Sequence, residues 1–166
     1  GMVAQHVATL QPARVKSLTL MMTTSGARHL TQPSLGVRRA MMARPASRAP
    51  EDIVEHLMRL LHLIGSPAYP PAPERLRERI QAMVARSWHP AGTARQLLAV
   101  AADGDRSPLL GRIAAPTHII HGQADPLIPV PAAHDLASKI RDATVDVVPG
   151  MGHDLPLALL ERFADG

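Results

Sequence analysis

Two segments that each run from an apolar strand into a loop constrain the fold of this chain most strongly. The strand predicted at Thr117–His121 leads to a carboxylate, Asp125, and the strand predicted at Thr144–Val148 leads to an imidazole, His153. If the strands are parallel neighbours, both groups lie at the edge of the sheet where open α/β sheets bind ligands. An acid followed by a histidine is two thirds of a nucleophile–base–acid triad whose serine comes first in the chain. No serine occupies that place here.

The surrounding pattern is that of an α/β protein. A helix predicted at Pro131–Ile140 joins the two strands, as in right-handed parallel crossovers. A strand is also predicted at Val15–Thr24, where a nearly continuous apolar run suits a strand covered on both faces. A last helix is predicted from near Leu155 to Gly166. The first helix candidate is Met2–Leu10, with its apolar residues near one face: Met2, Val3, Val7 and Leu10.

Residues 27–108 have a different character, with frequent prolines and no strand pattern. Apolar residues at helical spacing predict helices at Glu51–Ile64, about Glu74–Arg86 and about Thr93–Ala102. An all-helical insertion between two strands predicts a cap over the end of the sheet. The residues predicted to be buried in it are Ile53, Val54, Leu57, Leu60, Leu61, Ile64, Leu76, Ile80, Met83, Val84, Leu97 and Leu98.

Composition and charge exclude several function classes. The net charge is +4, but 16 of the 18 basic residues are scattered arginines and only 2% of residues are aromatic. This argues against a nucleic-acid interface, which needs clustered cations and often aromatic platforms. No apolar run is long enough for a membrane span, and cysteine is absent. The expectation is a cytoplasmic protein without a signal peptide, because the N-terminus lacks the basic-then-apolar pattern.

Three stretches together resemble the α/β-hydrolases. The segment from Pro116 to Pro129, PTHIIHGQADPLIP, resembles their acid-bearing segment, and Val148–Asp154, VPGMGHD, resembles their histidine loop. Met2–Gln5 followed by Pro12–Val15 resembles the helix and strand after the nucleophile elbow, where the family reads G-x-S-M-G-G-M-x-A-Q and then P-x-R-V. The resemblance covers nearly the whole chain and is strongest to small esterases and lactonases, such as polyketide methylesterases and enol-lactone hydrolases.

The resemblance implies an architecture in three parts. Residues 1–26 would be the helix and strand that follow the nucleophile elbow, and residues 27–108 the helical cap. Residues 109–166 would be the C-terminal strands and helices with the acid and histidine loops. The fold class is therefore α/β, the C-terminal portion of the α/β-hydrolase parallel sheet with an inserted all-helical cap.

The resemblance also implies roles for two residues. Asp125 would orient the base and His153 would be the general base, as in an acyl-enzyme mechanism. The activity would be hydrolysis of a small-molecule carboxylic ester or lactone, with no metal and no organic cofactor. Because the serine would lie upstream of Gly1, the expectation is that this chain is incomplete and inactive alone. The alternatives are a non-catalytic remnant or binding fragment, or a separate polypeptide that supplies the serine.

Each site residue also has a purely structural interpretation. Asp125 before Pro126 could be a turn residue that accepts backbone hydrogen bonds, and His153 could be an ordinary loop histidine. Asp154 is interpreted as a surface or capping residue rather than a second acid. The resemblance favours catalytic roles for Asp125 and His153 over these interpretations.

Other polar residues near the strands are weaker candidates. His118 and His121 are three apart on a strand and face opposite sides, which argues against a shared metal site. Both are interpreted as structural, although His121 could line the pocket. Ser25, near the end of the first strand, could replace the nucleophile, but it lacks the strained Gly-x-Ser-x-Gly turn.

The predicted strand Val15–Thr24 also suggests an assembly. In the family it would pair on its other side with the strand that leads to the nucleophile. An unpaired apolar edge invites pairing with a second copy. The expectation is a homo-oligomer through this strand.

Overall fold

The computed structural model describes residues 1–164. The strands are β1 (Leu18–Met21), β2 (Thr117–Gly122) and β3 (Thr144–Val148). The helices are α1 (Met2–Leu10), α2 (Leu35–Met42), α3 (Pro50–Ile64), α4 (Pro73–Arg86), α5 (Pro90–Asp103), α6 (Ser107–Leu110), α7 (Pro131–Lys139) and α8 (Leu160–Ala164). Short 3-10 turns occupy Pro12–Arg14 and Leu157–Leu159.

The three strands form one parallel sheet in the order β1-β2-β3. In the middle strand, Ile119 pairs with Leu20 on one side and Val145 on the other. Because β2 and β3 are parallel neighbours, the loops that follow them leave the sheet at the same edge, as the sequence predicts. The α/β fold class is confirmed.

The sheet is covered on both faces. Leu20 and Ile119 belong to a core with α1, α6 and α7, whereas the next residue of β2, Ile120, packs with Val148 and Met151 on the opposite face. Successive strand side chains point to opposite faces, so a run of apolar residues is what two covered faces require.

Helices α3 and α4 form the best-packed pair between β1 and β2. Their shared core contains Val54, Leu76 and Ile80. Both helices begin with a proline, whose missing N–H costs nothing in the first turn. Arg77 of α4 also pairs with two carboxylates of α3, those of Glu51 and Glu55. The two helices start one residue earlier than the sequence predicts.

Helix α5 departs from the sequence prediction. It begins at Pro90 rather than near Thr93, and Leu97 and Leu98, which are predicted to be buried, are 42% and 70% exposed. Met83 of α4 is also largely exposed. An apolar stripe predicts a buried face only if another element packs against it, and within residues 1–164 no helix or strand does so along α5.

The first elements need three corrections. In α1 the buried residues are Gln5, Ala8 and Thr9, whereas the apolar residues predicted to share a face are exposed or half-exposed: Met2, Val3, Val7 and Leu10. Strand β1 is shorter than the predicted Val15–Thr24. A 3-10 turn precedes it, and Met22 ends it with a φ of 44°, which strand pairing does not allow. Helix α2 was not predicted.

The C-terminal helix begins later than predicted. A 3-10 turn at Leu157–Leu159 leads into α8, and the predicted continuation to Gly166 lies outside the described residues. Within residues 1–164, no helix combines the length and apolarity that a membrane span requires.

Candidate active site

Asp125 lies in the loop after β2 with its side chain fully buried. Its Oδ1 accepts hydrogen bonds from the backbone N–H groups of Leu127 and Ile128, both at 2.8 Å. These two bonds are the turn arrangement that the sequence leaves open as an alternative. They use only one carboxylate oxygen, so the second, Oδ2, is left for another partner.

That partner is His153, in the loop after β3. Its Nδ1 lies 2.7 Å from Asp125 Oδ2. A carboxylate accepts and does not donate, so the imidazole proton sits on Nδ1 and the lone pair on Nε2. The His153 side chain is 24% exposed, and Nε2 has no hydrogen-bond partner among residues 1–164. The structure thus brings together the two residues that the sequence singles out.

Glycines allow the acid and histidine loops to approach closely. A Cβ on Gly122 would lie 2.3 Å from the carbonyl oxygen of Gly152. Direct backbone bonds join the loops here, from Gln123 N to Val148 O at 3.0 Å and from Ala124 N to Met151 O at 2.8 Å. A larger residue at position 122 would push the loops apart.

The last residue of α3 and the segment after it hydrogen-bond to the histidine loop. The N–H of His153 donates to the carbonyl of Ile64 at 2.7 Å, and the N–H of Gly152 donates to Ser66 Oγ at 2.8 Å. Ser66 Oγ in turn donates to Asp154. Asp154 is thus bonded to the segment after α3 rather than to the imidazole. The sequence does not predict this contact of Ser66, because no local sequence pattern indicates that a serine bonds to a loop 86 residues away.

The two histidines of β2, His118 and His121, point to opposite sides of the strand. His121 is fully buried and its Nε2 donates to the carbonyl of Ile128 at 2.7 Å, whereas the partly exposed His118 contacts Thr144 Oγ1 through Nδ1. His121 Nε2 lies 3.7 Å from Asp125 Oδ2, too far for a hydrogen bond. Both contacts fit the structural interpretation.

Ser25 lies apart from this pair. It is fully buried, and its Oγ donates to Asp135 Oδ2 at 2.5 Å and accepts from Ala27 N at 3.2 Å. Burial works to raise the pKa of Asp135, but hydrogen bonds from Lys139 and Ser25 outweigh it and hold the pKa below its usual value. The Ser25 hydroxyl therefore donates its proton to Asp135 and not to His153.

One cavity borders the acid loop, and a second lies among the helices. A cavity of about 420 Å³ adjoins Leu127 and Ile128 of the acid loop. A larger apolar cleft of about 670 Å³ lies among α2, α3 and α5, with Leu60 on α3 and Trp88 before α5 in its walls. In residues 1–164, no group of three histidine, aspartate or glutamate side chains is arranged to hold a metal ion.

The chain is similar in sequence to curated esterases. It is 28% identical over 156 residues to pimeloyl-[acyl-carrier protein] methyl ester esterase of Chromobacterium violaceum, which covers 92% of this chain and 59% of that protein. It is 41% identical over 59 residues to rhodomycin D methylesterase DnrP of Streptomyces peucetius, covering 36% of this chain and 20% of that protein. The chain therefore spans less than two thirds of these relatives. No protein-family model matches it.

Solved structures show the fold. A meta-cleavage product hydrolase of Pseudomonas fluorescens IP01 superposes with a TM-score of 0.72 over 98% of this chain and 58% of that chain. The sequence identity is 20%, so the likeness identifies the architecture and not the substrate.

Proposed function

Because the described residues have the fold of the C-terminal part of the α/β-hydrolases and the sequence resembles esterases, we propose that Asp125 and His153 are the acid and base of a carboxylic ester hydrolase. The observation that carries the proposal is the 2.7 Å contact between a buried carboxylate and Nδ1 of a partly exposed imidazole. It leaves Nε2 as the proton acceptor.

The proposed chemistry has two stages. His153 Nε2 takes the proton of a serine hydroxyl as that oxygen attacks the ester carbon, and returns it to the departing alcohol. The same nitrogen then takes a proton from water as the water oxygen attacks the acyl carbon, and gives it to the serine oxygen as the acid leaves. Asp125 fixes the tautomer and stabilises the imidazolium formed in each stage.

We propose that the nucleophile is none of the hydroxyl groups in residues 1–164. None of those in residues 1–164 hydrogen-bonds His153 Nε2, and Ser25 is occupied by Asp135. On this proposal the 166-residue chain alone turns over no ester. The competing proposal is a binding fragment without catalysis, and the same lack of a hydroxyl bonded to His153 Nε2 in residues 1–164 supports it.

The proposed substrates are methyl or other simple esters of acids with an apolar acyl group; a lactone is the cyclic variant. Two relatives are named as methyl esterases. The apolar cleft includes Leu57 and Leu60 of α3, and α3 ends at the residue whose carbonyl holds His153. An acyl chain in this cleft would lie along the helix whose last residue holds the histidine loop.

Hydrolysis of p-nitrophenyl acetate and butyrate by this chain and by His153→Ala tests the placement of the nucleophile. We expect the two proteins to give the same rate, at the level of buffer. Turnover that is lost in His153→Ala would show that a nucleophile lies within the chain and would overturn this part of the proposal. Ser25→Ala would then be the next variant.

A homo-oligomer through β1 is also proposed. The N–H groups of Leu18 and Met22 donate to the β2 side, so those of Thr19 and Met21 point to the other edge. No strand among residues 1–164 pairs with that edge. Unpaired backbone groups on an apolar strand favour pairing with a second copy.

A further inference from the structure

The last residue of α3 and the segment after it, residues 64–68, contact the histidine loop at residues 150–154. Ile64 O accepts from His153 N at 2.7 Å, and Gly150 O accepts from Ala68 N at 3.1 Å. A Cβ on Gly152 would lie 2.2 Å from the carbonyl oxygen of Gly65. Two backbone bonds and one close approach thus join segments that are far apart in sequence.

Ser66 lies at the centre of this contact and is only 4% exposed. Its hydroxyl accepts from Gly152 N at 2.8 Å and donates to Asp154 Oδ1. One side chain therefore binds the residues immediately before and after His153. A buried hydroxyl used in both directions fixes its neighbours more firmly than a single bond does.

Fixing these neighbours determines where the imidazole points. Asp125 binds one ring nitrogen, but the ring can face that carboxylate only if the backbone at positions 152–154 keeps its conformation. Without the Ser66 hydroxyl, the buried N–H of Gly152 loses its partner and can find another only if the loop moves, and the half-buried Asp154 loses its link to the segment after α3.

We propose that Ser66 is a positioning residue for His153, acting through Gly152 and Asp154 to keep Nδ1 on Asp125 and Nε2 free. This rests on the proposed role of His153 as base. It also links the helical segment to the base, because Ser66 is two residues beyond the end of α3.

Imidazole nitrogen NMR of the intact chain tests this without any substrate, because it reports which ring nitrogen carries the proton. His153 is assigned by difference with His153→Gln. We expect the Nδ1–H tautomer in the parent chain. In Ser66→Ala, the ratio of the Nε2–H to the Nδ1–H form should rise about fivefold, the scale of one lost hydrogen bond.

Ser47→Ala is the matched control. The Ser47 hydroxyl donates to Asp52 and accepts from Ala49 N at 3.0 Å, the same arrangement near the other end of α3. It should leave the His153 tautomers unchanged. Ser66→Cys, which fills the same space with a weaker hydrogen-bonding group, replaces Ser66→Ala if that variant does not fold, and should shift the tautomers in the same direction.

An unchanged tautomer ratio in a folded Ser66 variant, or an equal shift in Ser47→Ala, overturns the inference. The result is separate from the proposed function. If the tautomer ratio shifts in the Ser66 variant, positioning by Ser66 is supported even when the protein hydrolyses no ester. If the ratio does not change, positioning is wrong even when the protein hydrolyses esters.

Discussion

At the scale of single residues, Asp125 makes the contacts of both interpretations that the sequence presents as alternatives. One oxygen closes the turn after β2 and the other meets His153. The loop motifs that resemble the hydrolases are enough to single out both residues. They do not predict Ser66 or the contact of Gly122 with Gly152, because those depend on how distant loops approach.

Gly122→Ala should destabilise the fold by about 1–3 kcal/mol, because the added Cβ would overlap the Gly152 carbonyl and force the loops apart. Urea unfolding measures the loss. Gly36→Ala in α2 is the control, since its new Cβ would meet only Ser34 Oγ at 3.8 Å. That change should be neutral or stabilising. Equal losses for both would contradict the close approach.

Acid should weaken the fold partly through Asp135. Its pKa is lower in the folded chain than its ordinary value of 3.8, so the unfolded chain binds the proton first and stability falls as pH drops below about 3.8. Above that pH the contribution is fully present. Asp135→Asn should show a shallower fall in urea stability between pH 5 and 3 than the parent chain. Parallel curves would rule out this contribution.

At the scale of elements, the period of the apolar residues predicts β2, β3, α3, α4 and α7 to within one residue at each end. It fails for α5, where the pattern is helical but the expected partner is missing. It also overextends β1 at both ends, because a 3-10 turn precedes the strand and the backbone turns away at Met22, where the apolar run ends. Local pattern thus predicts an element, whereas burial depends on what packs against it.

Ile80→Ala should cost about 2–5 kcal/mol, because Ile80 is buried between α3 and α4 and the substitution leaves a cavity. Leu98→Ala in α5 should change the unfolding free energy by less than about 0.5 kcal/mol, as exposed substitutions do. Urea unfolding of the two variants compares them directly. A loss for Leu98→Ala close to that for Ile80→Ala would mean that α5 has a packed partner.

At the scale of the whole molecule, no strand among residues 1–164 pairs with the outer edge of β1, and the assembly proposed above would cover that edge. We expect sedimentation at micromolar concentration to show a dimer or larger species. Thr19→Pro should shift it toward monomer, because it removes an outward N–H at an edge that tolerates proline. Thr19→Val retains that N–H and is the control. A stable monomer in the parent chain would eliminate the proposal.

The measurement closest to the central claim is ester hydrolysis by a hybrid in which this chain replaces the aligned part of the Chromobacterium violaceum esterase. On the proposal above, the retained part of that esterase brings the nucleophile. With p-nitrophenyl butyrate, the account predicts turnover that falls about 10⁴-fold in Asp125→Asn and about 10⁶-fold in His153→Ala. Asp146→Asn, which breaks only an exposed ion pair with Arg162, should leave the rate unchanged. A folded hybrid whose turnover does not depend on Asp125 and His153 would contradict their assignment as acid and base.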